Sequence, residues 1–327
     1  MIAILADTCV GGTFLNWSIY YLAGQRQYYS AYKQKLMPVV KNPLAGKNAH
    51  GFLSNHVPST ERFEKILKIL VDHKSSHLHT IYVHTFLEAI KPYHQETADA
   101  IKKLLPYVSK TILVTSSPEQ ALYQCKFNSR ANKTPSRNNH KIWLTEDHEI
   151  SEDFISYFFG DSKKVWDELD LKNSWDQREF LALNFRPFDL VGMKENLDLS
   201  KDHYHINTME LWDRFDESVG DLFQYLEMDI NDKNFKKWID IYREWKKLHK
   251  DRLFFIWYFD IIIDYVIKGY NLDLGRFNLD LYQEAAIQHA LIYRHNLNLK
   301  TWQLEKFTNT RQLHELLEPN IHPLSKY

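Results

Sequence analysis

The sequence predicts an α/β fold in which helices cover both faces of a parallel sheet. The chain opens on a short apolar run, residues 2–6, which suits a central parallel strand. Apolar residues then recur at helical spacing, at Phe14, Leu15, Ile19 and Leu22. Over the first 130 residues, strand-like and helix-like segments alternate. This alternation is typical of a three-layer domain with a parallel sheet in the middle.

The predicted elements fall into two portions of the chain. Strands are predicted at residues 2–6, 50–54, 78–86 and 111–116, and helices at 13–23, 60–72, 95–107 and 118–126. From residue 150 onward the pattern is mostly helical, and Asn207 suits the N-cap of a helix that runs through Leu226. We therefore expect residues 1–150 to form an α/β core. Residues 151–327 would be a mostly helical portion that completes this core, either as a second domain or within one domain.

Composition limits the classes of partner. The 327 residues include 41 basic and 42 acidic side chains, which gives a formal net charge of −1. The protein therefore has no overall positive charge that would attract nucleic acid or anionic lipid, and any anion site must depend on local residues. The two cysteines, Cys9 and Cys125, indicate a reducing compartment rather than a disulfide framework. Without a basic leader or an apolar run of spanning length, we expect a cytoplasmic protein with no nucleic-acid or membrane partner.

The segment after the first strand is the strongest candidate for a binding site. Gly11 and Gly12 permit a tight bend, and the helix that starts near Thr13 would direct unpaired N–H groups and its positive dipole end at an anion. The loop has no lysine after its glycines and no G-x-G-x-x-G, so neither the Walker pattern nor a dinucleotide fingerprint is present. A thiolate at Cys9 would need an arginine that the loop lacks. The alternative is an ordinary strand-to-helix turn with a capping threonine.

A second candidate is His56, which precedes Val57 and Pro58. Proline ends a strand and biases the residue before it to an extended conformation, so we expect His56 at the carboxyl edge of the sheet, where ligands bind in open α/β folds. The alternative is a polar strand-end residue without a role. The other histidines form no H-E-x-x-H or Cys/His cluster, so no metal site is expected.

These two segments resemble the sulfotransferase family. The strand, Gly11-Gly12-Thr13 and an aromatic-bearing helix are similar to that family's 5′-phosphosulfate loop, and His56-Val57-Pro58 is similar to its Lys-Thr-His-Leu-Pro signature, in which the histidine is the general base. The resemblance implies a P-loop-like parallel sheet and 3′-phosphoadenosine 5′-phosphosulfate (PAPS) as sulfuryl donor. It also implies that Gly11, Gly12, Thr13 and Phe14 hold the 5′ end of the donor.

The family's 3′-phosphate site is a strand followed by Arg-x-Pro and a later serine. Residues 111–118 have the strand and the proline, but Ser116 stands where the arginine would be, and the loop lysine of the family is also missing. We therefore expect the 3′-phosphate to be held by Ser116, Ser117, Lys126 or Arg130, of which the two basic residues lie just downstream and would substitute for the missing arginine. An earlier strand that ends near His84 is the competing candidate for this element. The helix that ends Leu-Phe-Gln-Tyr-Leu-Glu-Met resembles a late family helix that closes with Phe-Leu-Gly-Leu, with Glu227 in place of the glycine.

The resemblance implies transfer of a sulfuryl group to a hydroxyl or amine of a small-molecule or saccharide acceptor. His56 would accept the proton of the acceptor, no metal would be required, and the helical portion would supply the acceptor pocket. A P-loop-type kinase is the alternative enzyme, for which only Asp7 offers a magnesium-binding acid near the loop. A non-catalytic nucleotide-binding module on the same fold is the third possibility.

Overall fold

The computed structural model describes residues 1–7, 11–44, 56–57, 60–73, 78–85, 99, 101–120, 203–248, 258–268 and 281–296. The chain divides into two compact units. The first comprises Met1–Phe86, Lys91–Ser116 and Phe188–Lys250, and the second comprises Leu87–Ile90, Ser117–Pro187 and Asp251–Tyr327.

In its described residues, the first unit contains a parallel sheet of five strands and a separate two-stranded hairpin. The strands are β1 (Ile2–Asp7), β2 (Gln27–Ser30), β3 (Lys35–Pro38), β4 (His56–Val57), β5 (Thr80–Thr85), β6 (Lys110–Thr115) and β7 (His203–Asn207). The order in the parallel sheet is β4-β5-β1-β6-β7, and β2 and β3 pair antiparallel. The predicted parallel sheet is confirmed. The predicted strand at 50–54 lies outside the described residues.

The helices of the first unit cover both faces of this sheet. Among the described residues they are α1 (Gly12–Leu22), α2 (Thr60–Asp72), α3 (Thr208–Asp213), α4 (Phe215–Tyr225) and α5 (Asp232–Leu248), and residues 101–104 are also helical. Side chains of α1, α3, α4 and α5 form one core with Ile2, Ile4 and Ala6. Side chains of α2 and of residues 101–104 form a second core with Ala3 and Leu5 on the opposite face. Because alternate residues of β1 enter different cores, the sheet is the middle layer of three, as the sequence predicts.

Helix α1 is buried on nearly all sides, so its polar side chains need partners inside the protein. The hydroxyl of Tyr20 accepts from the backbone N–H of Thr80 at 3.0 Å and donates to the carbonyl of Leu78 at 3.2 Å. The Thr80 hydroxyl donates to Oδ1 of Asn16 at 2.7 Å. Burial raises the pKa of Tyr20 to about 12, so the phenol stays neutral and these hydrogen bonds hold α1 against β5 at neutral pH.

The C-terminus of α1 directs the chain into the hairpin. Gly24 adopts φ 70°, and the N–H groups of Gly24 and Gln25 bond back to the carbonyls of Tyr21 and Tyr20, which is a Schellman motif. The hairpin that follows was not predicted, because its strands have only four residues each and its turn, residues 31–34, contains no glycine.

The predicted helix from Asn207 to Leu226 is two helices, α3 and α4, with a break at Arg214. The Oδ1 atom of Asn207 accepts from the N–H of Met209 at 2.8 Å, so the predicted N-cap is confirmed. At the break, Arg214 has φ −136° and ψ 29°, and the Phe215 N–H donates to the Tyr242 hydroxyl of α5 at 2.8 Å. A tertiary hydrogen bond therefore replaces the helical one.

The described part of the second unit contains the first helical turn after Ser117, α6 (Asp260–Ile267) and α7 (Leu281–Tyr293). An ionic cluster joins them, in which buried Glu119 contacts Nδ1 of His289 at 3.2 Å and the guanidinium of Arg294. Arg294 also lies 3.8 Å from Asp260. Burial by itself raises the pKa of Glu119, but the hydrogen bond from His289 and the charge of Arg294 outweigh it and lower this pKa to about 2.

Candidate functional site

The carboxyl ends of four strands lie side by side at one edge of the parallel sheet. The backbone register pairs Asp7 with Thr85, and Thr115 with Asn207. After β1 the chain builds β4 and β5 on one side of it, and then β6 and β7 on the other, so the strand order reverses at β1. In open parallel sheets, ligands bind beyond the carboxyl ends of the strands at such a reversal. The end of β1 at Asp7 is therefore at the position where this fold class binds ligands, and Gly11 follows four residues later in the chain.

Gly11 and Gly12 begin α1 just beyond this edge. Gly11 is the N-cap residue, with φ 91° and ψ 8°, a left-handed conformation that favours glycine. In the described part of the chain, no side chain caps the first turn and no acidic residue lies in it. The first N–H groups of a helix have no partner within the helix, and the helix dipole adds positive potential there. The backbone of Gly12, Thr13 and Phe14 therefore has the geometry of an anion site.

Thr13 and Phe14 differ in what their side chains can contribute. Thr13 is partly exposed in the first turn and carries a hydroxyl that can donate a hydrogen bond. Phe14 is 5% exposed, and its ring stacks on Trp245 with 4.3 Å between centroids. Phe14 can therefore contribute its backbone N–H to a ligand, while its side chain belongs to the core. The helix begins at Gly12, one residue before the predicted start at Thr13.

Both glycines are also required by packing. A Cβ atom on Gly11 would lie 2.8 Å from Nε1 of Trp212 and 3.0 Å from Cη2 of Trp245. A Cβ atom on Gly12 would lie 2.5 Å from the hydroxyl oxygen of Tyr82 and 2.6 Å from two of its ring carbons. Since Tyr82, Trp212 and Trp245 are all buried, their rings cannot move freely away. Substituting either glycine therefore perturbs the fold as well as any ligand.

Ser116 and Ser117 follow β6 directly, as predicted, but Ser117 has a structural partner. Its hydroxyl accepts from the N–H of Gln120 at 3.2 Å, and its own N–H donates to Oε1 of Gln120 at 2.9 Å. With Pro118 at the first helical position, this is a capping box. Ser117 therefore begins a helix, and Ser116 lies in the link from the strand. Lys126 and Arg130 lie outside the described residues.

His56 is placed differently from the prediction. It lies in edge strand β4, and the register aligns it with Tyr82, which in turn aligns with Ile4. Ile4 is three residues before the end of β1, so the backbone of His56 is about 10 Å short of the carboxyl edge at 3.3 Å per residue. The prediction that His56 lies at this edge is wrong for its backbone. Strand β4 is only two residues long, and it pairs with Tyr82 and Val83 rather than with Thr85 at the end of β5. His84, aligned with Ala6, lies one position from the edge.

A further histidine at this edge was missed by the sequence interpretation. Nε2 of exposed His205 in β7 lies 2.5 Å from Oγ1 of Thr115, at the carboxyl end of β6. Thr115 is buried, and its carbonyl accepts from the Thr208 hydroxyl at 2.9 Å. The signal in the sequence was the alternation in residues 203–207, where Tyr204 and Ile206 lie between polar residues. This pattern is typical of a strand, but it is only five residues long and lies in a portion of the chain whose pattern is mostly helical, so a strand was not predicted there.

Helix α4 ends at a residue in the left-handed region. Glu227 stands where the family has glycine, and it adopts φ 55° in the left-handed region. The N–H groups of Glu227 and Met228 bond to the carbonyls of Gln224 and Phe223, which is a Schellman motif. Lys110 approaches the Glu227 carboxylate at 2.9 Å. Glu227 therefore combines a left-handed backbone conformation with a charged side chain that forms an ion pair.

The comparisons with known proteins assign no family. The chain matches no protein-family model and no curated protein sequence. Within the described ranges, no three His, Cys, Asp or Glu side chains are grouped so that they could hold a metal ion. No helix among the described residues is both long and apolar enough to cross a bilayer.

Proposed function

We propose that the chain is a sulfotransferase-like enzyme that moves a sulfuryl group from PAPS to a hydroxyl or amine of a small-molecule or saccharide acceptor. The observation that carries the proposal is the start of α1. A left-handed Gly11 and a second glycine follow the central strand where the strand order reverses, and the first turn lacks an acidic residue. This arrangement favours the phosphosulfate end of a nucleotide.

The backbone N–H groups of Gly12, Thr13 and Phe14 would hold the 5′-phosphosulfate, and the Thr13 hydroxyl would donate a further hydrogen bond. Preorganised donors of this kind stabilise charge on the transferring group without reorganising. Attack by the acceptor oxygen or nitrogen on sulfur forms the new bond as the bond from sulfur to the 5′-phosphate oxygen breaks. Adenosine 3′,5′-bisphosphate leaves with that electron pair. A histidine accepts the proton that the acceptor loses.

Three histidines compete for the role of base. His56 is the histidine that matches the family signature. The backbone of His84 lies closer to the carboxyl edge than that of His56. The side chain of His205 contacts Thr115, which is the last residue of β6 at this edge. We keep His56 as the proposed base, since the strand position fixes only its backbone. Replacing each histidine separately with alanine should show which one lowers turnover by about 10²–10⁴ while nucleotide binding remains. His203, on the same strand as His205, is the matched control.

The 3′-phosphate would be held by Ser116 and Ser117 with Lys126 and Arg130. In the first turn after Ser117, Pro118 has no N–H and the Gln120 N–H donates to the Ser117 hydroxyl, so the charge of Lys126 and Arg130 would supply most of the attraction for the phosphate. Replacing both Lys126 and Arg130 with alanine should weaken binding of the 3′-phosphorylated nucleotide far more than binding of its dephosphorylated analogue. If binding of both nucleotides weakens equally, Lys126 and Arg130 do not contact the 3′-phosphate.

Thermal stabilisation by nucleotides tests the proposal. Adenosine 3′,5′-bisphosphate at 100 times its dissociation constant should add about 2.7 kcal/mol to the native state, so the melting temperature should rise. Thr13→Val should reduce this rise, whereas Thr13→Ser, which retains the hydroxyl, should preserve it. A rise with ATP and magnesium alone would instead support the kinase alternative, for which Asp7 at the end of β1 is the available acid. Binding without turnover would identify the non-catalytic module.

A further inference from the structure

A long segment near the N-terminus contains no acidic residue. Between Asp7 and Glu61 there is neither aspartate nor glutamate, although the whole chain has 42 acidic residues and is almost neutral. The segment contains five cationic residues, which are Arg26, Lys33, Lys35, Lys41 and Lys47. The near-neutral total therefore conceals a local excess of positive charge, which can attract anions over about a Debye length, roughly 8–10 Å at physiological salt.

The hairpin of β2 and β3 carries part of this positive charge and is anchored to the core of the first unit. Tyr28 and Tyr29 of β2 are buried in the two cores, and Nε1 of Trp17 donates to the carbonyl of Val40 just beyond β3 at 2.9 Å. The tip itself, residues 32–36, is exposed at every position. Gln34 turns the chain there with φ 48°. The tip is therefore an exposed turn on an anchored base.

The exposed cations at this hairpin differ from other described lysines in their ion pairing. Arg26, Lys33, Lys35 and Lys41 are exposed, and none of them forms an ion pair within the described part of the chain. By contrast, Lys103 pairs with Glu64, and Lys246 with Asp213.

Two large apolar side chains flank the lysines of the tip. Tyr32 is 43% exposed and Leu36 is 39% exposed, so each lysine of the tip has an exposed apolar side chain next to it in the sequence. Cations beside an aromatic ring and an aliphatic side chain match the two layers of an anionic bilayer surface, the headgroups and the outer acyl region.

We propose that the hairpin tip, Tyr32–Leu36, docks on an anionic lipid surface. Exposed apolar side chains beside the lysines favour a bilayer, which offers an apolar layer as well as negative charge, over an acidic peptide, which offers charge alone. A single aromatic ring favours lipid over single-stranded nucleic acid, which binds to a series of stacking rings in a basic groove. The overall charge predicts no membrane partner, but overall charge does not describe a local surface of this kind.

The docking surface is separate from the proposed catalytic site. Gly12 starts α1 at the carboxyl edge of the sheet, and the hairpin follows the other end of this helix. The 11 residues of α1 separate the two ends by about 16 Å. Docking at the tip thus does not require the glycine loop, and the inference does not rest on the proposed function.

Vesicle co-sedimentation of the full chain tests the inference. The wild-type protein should sediment with phosphatidylcholine vesicles that contain phosphatidylserine, and not with phosphatidylcholine alone. Lys33→Gln combined with Lys35→Gln should weaken this partitioning about 30-fold, because each lysine near an anionic surface contributes about fivefold. Leu36→Ser should weaken the part of the binding that persists at high salt.

The matched control neutralises two exposed lysines on α2. Lys65→Gln combined with Lys68→Gln changes the net charge equally, and its partitioning should stay within about twofold of the wild type. Circular dichroism should show that all variants remain folded. Equal losses in both double variants, or no sedimentation of the wild type at low salt, would overturn the inference. Binding of a labelled single-stranded oligonucleotide without vesicle binding would also overturn it, in favour of nucleic acid.

Discussion

Replacing Gly11 with alanine should destabilise the first unit through two independent effects. The residue has φ 91°, and a non-glycine residue in the left-handed region costs about 1–2 kcal/mol. The new Cβ atom would also lie 2.8 Å from Nε1 of Trp212 and 3.0 Å from the ring of Trp245, and such overpacking costs about 1–3 kcal/mol. Together these effects predict a loss of about 2–5 kcal/mol, which lowers the melting temperature by roughly 5–15 °C for a unit of this size.

The chain contains matched controls for both effects. Gly24 has φ 70°, but its added Cβ atom would be at 3.4 Å or more from Asn231, so Gly24→Ala should show the conformational cost alone. Gly220 lies in α4 with nothing within 4 Å of an added Cβ atom, so Gly220→Ala should stabilise the protein by up to about 1 kcal/mol. Urea unfolding followed by tryptophan fluorescence measures all three. If Gly11→Ala costs no more than Gly24→Ala, the aromatic rings do not pack on the loop as described.

Two further substitutions test other parts of the structure. Glu119→Gln should lower the free energy of unfolding by about 3 kcal/mol near neutral pH. The folded pKa of Glu119, about 2, lies below the ordinary 4.5, so the wild type has this stabilisation above pH 4.5 and loses it as the pH falls toward 2. Urea titrations across this range should therefore show the two proteins converging, and a gap independent of pH would contradict the assignment. Asn207→Ala should cost about 1 kcal/mol by removing the N-cap of α3, whereas Asn207→Asp should retain most of the stability in thermal melts.

The local elements that depend on short-range patterns could be predicted from the sequence. The apolar run at residues 2–6 gave β1, helical periodicity gave α2 at its observed bounds, and the Asn207 cap follows from its side-chain chemistry. The break at Arg214 could not be predicted, because it depends on the Tyr242 hydroxyl of α5. Burial raises the pKa of Tyr242, so this phenol stays neutral, and the hydrogen bond persists.

The candidate site was predictable at the loop but not across the sheet. Adjacent glycines after a strand are visible in the sequence, whereas the rings of Tyr82 and Trp212 that require them come from distant segments. The level of His56 in the sheet depends on which residues of β5 it pairs with, and no local pattern fixes that register. The same holds for the contact between Thr115 and His205, which lie 90 residues apart.

The most direct test of the central claim is a nuclear magnetic resonance titration of the ¹⁵N-labelled protein with adenosine 3′,5′-bisphosphate. If the start of α1 holds the 5′-phosphate, the amide resonances of Gly12, Thr13 and Phe14 should shift in a saturable manner with one dissociation constant. Gly24, at the other end of α1, should serve as the internal reference with an unchanged resonance. Saturable shifts elsewhere in the protein, with the three amides at the start of α1 unchanged, would contradict the claim that this helix start binds the nucleotide.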